Sequence, residues 1–93
     1  MDRKQLQKHV DSIWDRDILP ALMAYIAIPN QSPIFEEDWK AKGHTDKATK
    51  LIADWIRQRK IHGLDLQIIE EEGRTPLIFV EIPGQAPGSI MLY

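Results

Sequence analysis

Apolar residues recur at helical spacing along the first quarter of the chain. Leu6, Val10, Ile13 and Trp14 share one stripe, and Ile18, Leu22, Tyr25 and Ile26 continue it at intervals of three and four. The spacing predicts a helix over about 3–27. Pro20 interrupts it. A helix that runs through loses one hydrogen bond at Pro20 and kinks near Arg16. A second helix that begins after Asp17 as N-cap takes Pro20 into its first turn. One kinked helix and two abutting helices both satisfy the pattern. Ile28-Pro29-Asn30-Gln31-Ser32-Pro33 ends the segment, because each proline forces extended backbone on the residue before it.

The stretch up to Gly43 has no period and predicts a loop with one short turn around Glu36–Trp39. A second helix is predicted over about 45–62, with Ala48, Leu51, Ile52, Trp55 and Ile56 as its apolar stripe. Thr45 is placed to cap it, Asp46 suits the positive end of its dipole, and Gly63 suits the position just past its end. The period then changes to two. Leu64, Leu66 and Ile68 alternate with Asp65 and Gln67, which predicts a half-buried strand over about 64–71. Glu70 to Thr75 carries a turn. Leu77-Ile78-Phe79-Val80 is apolar without a break, as in a strand over 76–82 covered on both faces. Pro83 to Gly88 reads as a stiff loop, and Ser89-Ile90-Met91-Leu92-Tyr93 as a third strand over 89–93. That strand reaches Tyr93 without a turn, cap or polar tail, so the rest of its domain is expected beyond it. The class is α/β: two helices followed by a hairpin and a third strand, incomplete as a sheet.

Composition narrows the function without choosing it. With 93 residues, 43% hydrophobic and 28% charged, the chain is an ordinary globular piece that buries only about 60–65% of its unfolded surface. A net charge of −2 gives no footprint for nucleic acid or an anionic membrane surface. The absence of cysteine excludes disulfides and thiolate metal sites. The apolar run Ile18–Ile28 is too short to span a bilayer and contains Pro20. No secretory leader is legible, which makes the cytoplasm the expected compartment. No internal repeat or low-complexity segment occurs.

The tetrad Gly43-His44-Thr45-Asp46 has the residue types of a zinc site, an imidazole and a hard carboxylate. It follows Lys40-Ala41-Lys42 and opens a helix, however, so a cap and a dipole partner account for the same residues. His9 and His62 lack a ligand partner three or four positions on. Glu70, Glu71 and Glu72 read as a solvated strand end, and Arg57, Arg59 and Lys60 as helix C-terminal charge. Trp14 and Trp55 fall on helix stripes and are expected in the core, whereas Trp39 stands in the aperiodic loop. No phosphate loop, nucleophile elbow or Ser/His/Asp set is present. The residues therefore nominate no catalytic, cofactor-binding or metal-ligating position in this chain.

The order of segments carries a resemblance that single motifs do not. A long N-terminal helix leads into Ala27-Ile28-Pro29-Asn30-Gln31-Ser32-Pro33. A helix containing Ala48 to Ile56 follows, then a strand, a turn, Pro76-Leu77-Ile78-Phe79-Val80-Glu81-Ile82-Pro83-Gly84, and finally Ser89 to Tyr93. This resembles the start of the co-catalytic zinc peptidases and deacylases that include carnosinase-like dipeptidases, acetylornithine deacetylase and succinyl-diaminopimelate desuccinylase. The resemblance implies an α/β/α sandwich in which the first two strands form an antiparallel hairpin and a later strand separates them from the third. It implies that a strand like Ile90–Tyr93 runs into Gly-His-x-Asp-x-x-Pro, the first zinc ligands. Two zinc ions, a hydroxide shared between them and a proton-transferring glutamate then belong to the full-length protein, not to this chain. Pro29–Pro33 and the acidic loop after it are more like the dipeptidase branch.

The expected partners are the remainder of the catalytic domain and, for the full-length protein, a peptide substrate. Nucleic acid and membrane are not expected. Open edges and apolar faces are expected to make this segment self-associate. Two other readings stand beside it: a self-contained α+β module that binds a partner through a sheet edge, and an N-acyl amino acid deacylase of the same fold.

Overall fold

The computed structural model of the chain describes residues 2–93. Helix α1, Arg3–Ile13, starts where the Asp2 carboxylate accepts from the Lys4 backbone N–H at 3.1 Å. The helical run continues through Pro20, and the disturbance falls around Arg16 as a π-helical turn, Trp14–Ile18, in which the Leu19 N–H reaches back to the Trp14 carbonyl before the chain continues as α2, Leu19–Ile26. A proline has no N–H to donate and its ring crowds the carbonyl four residues back. Widening the preceding turn accommodates both demands without breaking the helical run. Asp17 is no cap, since its carboxylate accepts from the Arg16 guanidinium at 3.0 Å.

The loop that follows has one turn more than expected, around 33–35, where the Ser32 carbonyl accepts from Phe35 and Glu36. The expected turn at Glu36–Trp39 is present, closed by the Trp39 N–H donating to the Glu36 carbonyl at 3.3 Å, and it leads straight into a one-turn helix, α3, Trp39–Lys42. Gly43 then takes the left-handed conformation, φ 75°, which lets the chain re-enter a helix at once. Helix α4, His44–Gln58, therefore has Gly43 rather than Thr45 at its N-cap. It ends four residues short of the predicted 62, because Lys60 is left-handed at φ 51°. The last turn tightens as Arg59 and Lys60 donate to the Ile56 and Arg57 carbonyls.

Strands β1, Asp65–Ile69, and β2, Leu77–Glu81, pair antiparallel with Leu66 opposite Val80 and Ile68 opposite Ile78. The mixed α/β class is thus as expected, with helices before strands. Both strands are shorter than predicted, and Ser89–Tyr93 is not a third strand. It has no ladder partner, and Ile90, Met91 and Leu92 are 92%, 82% and 90% exposed.

Among the described residues only Ala48 and Ala53 are buried apolar positions. α2 packs on α4 and α3 on α4, but no helix packs broadly against the hairpin. The radius of gyration is 16.4 Å, against about 12 Å for a compact domain of this length. Ile78 and Val80 are half-buried while Leu77 and Phe79 face outward, 56% and 42% exposed, so β2 is not covered on both faces. Trp14, expected in the core, is also exposed, because nothing lies over the stripe of α1.

Candidate functional site

Two open concavities lie where packing is incomplete. One, an open cleft of about 430 Å³, separates α4 from the hairpin. Its upper wall is the loop from Asn30 to Pro33, tied to α4 by the Thr45 hydroxyl, which donates to Asn30 Oδ1 at 2.8 Å. The Thr49 hydroxyl in turn donates to the Thr45 carbonyl at 2.8 Å. Thr45 thus ties the loop to the helix instead of capping it. Tyr25, Ala48 and Ile52 make the apolar floor, and Thr75 to Ile78 the opposite wall. The lining residues carry no carboxylate, imidazole or amine. Apart from the Tyr25 phenol, that lining offers no acid–base group, and its apolar side chains suit contact rather than chemistry.

A second cleft, also about 430 Å³, lies between α2 and α4 over Ala21, Ala24, Leu51 and Trp55. Lys47, Lys50 and Asp54 rim it, and Lys50 is paired to Asp54 one turn on.

The sequence candidates are scattered around these clefts rather than gathered in one. At the tetrad, Asp46 pairs with Lys40 at 3.2 Å, and His44 Nδ1 is buried without a hydrogen-bond partner. Among the described residues no group of three or more His, Asp or Glu side chains is placed to hold a metal ion. His9 and His62 are exposed, and Glu71 reaches only Arg74, at 3.6 Å. Trp39 heads α3 half-buried. Lys42 donates to Glu36 at 2.6 Å, and that hydrogen bond, with the lysine charge, holds the Glu36 carboxyl below its ordinary range.

The basic run at the end of α4 does more than complement the helix dipole. Arg59 lies 4.3 Å over the Trp55 ring, donates to the Trp55 carbonyl, and meets Asp17 of the π-turn at 3.4 Å. The Arg16 hydrogen bond, followed by the Arg16 and Arg59 charges, lowers the Asp17 pKa. The spacing Trp55–Arg59 carried the local half of this arrangement; its tie to Asp17, 42 positions away in the chain, had no local signal. No helix of the described residues is long and apolar enough to cross a membrane. No protein-family model matches the chain, and no curated protein matches it.

Proposed function

We propose that the chain is the N-terminal segment of the catalytic domain of a zinc-dependent metallopeptidase of the dipeptidase or exopeptidase type, which hydrolyses peptide amide bonds. The observation that carries this reading is the pairing of β1 with β2. The helices lead into an antiparallel hairpin that sets Leu66, Ile68, Ile78 and Val80 on one face and leaves Leu77 and Phe79 exposed on the other, as the first layer of an α/β/α sandwich requires. The extended shape and the cleft between α4 and the hairpin support it, since both are places that more chain would fill.

The described residues do not fit a two-zinc centre. In this reading they are scaffold: α4 and the hairpin are the framework against which the ligand-bearing strands, the catalytic glutamate and the lid domain assemble. Two zinc ions and the peptide substrate belong to the complete domain, and the cytoplasm is its proposed compartment.

The test is to express the protein extended in frame past Tyr93. It should bind zinc and hydrolyse dipeptides, and lose activity to a chelator, whereas residues 1–93 alone should do neither. An extended protein with no bound zinc and no amide hydrolysis would overturn the reading. Hydrolysis of N-acyl amino acids in place of dipeptides would make it a deacylase. The free edge on each strand favours one other class, a partner-binding module. That reading requires the frame to stop after Tyr93.

A further inference from the structure

We infer that α1 is an interface between two copies of this chain, paired antiparallel along the stripe Leu6, Val10 and Trp14. These residues lie four apart on one side of the helical run and are 44%, 50% and 46% exposed. α1 packs broadly only against the π-turn that follows it, and the stripe lines neither cleft.

The order of charges along the helix points to a second copy and sets its direction. The free N–H groups at the start of a helix form a positive pole and the free carbonyls at its end a negative one. Acidic residues therefore suit the start and basic residues the end. Beyond its Asp2 cap, α1 has the reverse order. Arg3 and Lys4 occupy its first turn and Asp11 its last, and Asp15 and Asp17 follow in the π-turn. With His9 neutral, residues 2–9 carry a net charge of +2 and residues 10–17 one of −2.

Within one chain this order opposes the helix dipole. Between two antiparallel copies, each pole and each charged half meets its opposite. The pattern is self-complementary, as an interface with a two-fold axis requires. With the axis at Val10, Leu6 falls across from Trp14 of the second copy and Arg3 across from its Asp17. A patch this small makes a weak dimer, so the test traps it covalently. The inference uses only residues before Leu19 and does not rest on the peptidase reading.

The chain has no cysteine, so single introduced thiols report the register directly. At about 100 µM, mild oxidation should join Val10→Cys chains to one another. Leu6→Cys chains should stay single, and an equal mixture of Leu6→Cys with Trp14→Cys chains should give the mixed pair. Arg3→Glu with Lys4→Glu, added to Val10→Cys, should slow its cross-linking several-fold. The helical circular-dichroism signal should hold or rise in that variant, since acidic residues suit that end of α1. Val10→Cys that joins no faster than Leu6→Cys, absence of the mixed pair, or a charge reversal that leaves the rate unchanged would each overturn the inference. Where the frame continues past Tyr93, the longer chain should cross-link at Val10→Cys in the same way. Loss of the cross-link there would mean that the added chain covers α1, and overturns the inference equally.

Discussion

Replacing Ala53 by leucine separates the most tightly packed of the described residues from the open surfaces around it. Ala53 is 0% exposed on α4, and Ala48, five residues earlier, is 4% exposed yet lines the cleft beside the hairpin. Leucine adds three carbon atoms at either place. At Ala53 they meet packed atoms, and overpacking of that kind costs about 1–3 kcal/mol. At Ala48 they extend into the cleft, where burying added apolar carbon is neutral or stabilising by about 1 kcal/mol. For a domain of this size each kcal/mol shifts the midpoint by about 4–8 °C. Ala53→Leu should therefore melt at least about 4 °C below wild type and Ala48→Leu at or above it. Both are followed at 222 nm, with urea midpoints as a check that the slope is unchanged. Equal destabilisation by the two substitutions would refute the packing argument, because it would mean that the cleft is closed in solution.

Gly43 joins α3 to α4 at φ 75° with nothing within 4 Å of the position of an added Cβ, so its whole cost on substitution is backbone conformation. Gly43→Ala should lose about 1–2 kcal/mol in urea unfolding, whereas Gly84→Ala, with neither a positive φ nor a close neighbour, should stay within about 0.5 kcal/mol of wild type. The Glu36 carboxyl titrates below its ordinary value of 4.5 because of Lys42. Its folded pKa is depressed, so the stabilisation it brings to α3 is present above the ordinary value and is lost as pH falls through the lower, folded one. A carbon-detected carboxyl titration should find Glu36 low in wild type and ordinary in Lys42→Gln; equal midpoints would contradict the pairing.

What could be read along the chain was what depends on near neighbours. The stripe from Leu6 to Ile26 carried the helical run, and Leu66 and Ile68 alternating with polar residues carried β1. Three features escaped for physical reasons. Pro20 announces a disturbance, but whether the backbone answers with a kink, a break or a wide turn depends on small differences in hydrogen bonding over Trp14–Ile18. Lys60 ends α4 in a left-handed conformation for which lysine has no preference. Ser89–Tyr93 has the composition of a strand, yet a strand exists only with a neighbour, and pairing is not local. The same limit applies to Trp14: periodicity says which face it occupies, not what covers it. For the clefts, the loop at Asn30–Pro33 is legible as a break, but a threonine at position 45 suits a helix cap as well as the hydroxyl tie to Asn30 that it makes.

The central claim is that α4 and the hairpin belong to the first layer of a zinc hydrolase. Sequencing the coding frame past the codon for Tyr93 tests it most directly. The account predicts Gly-His-x-Asp within a few residues and a proline closely after. A frame that continues without that motif, or stops at Tyr93, contradicts it.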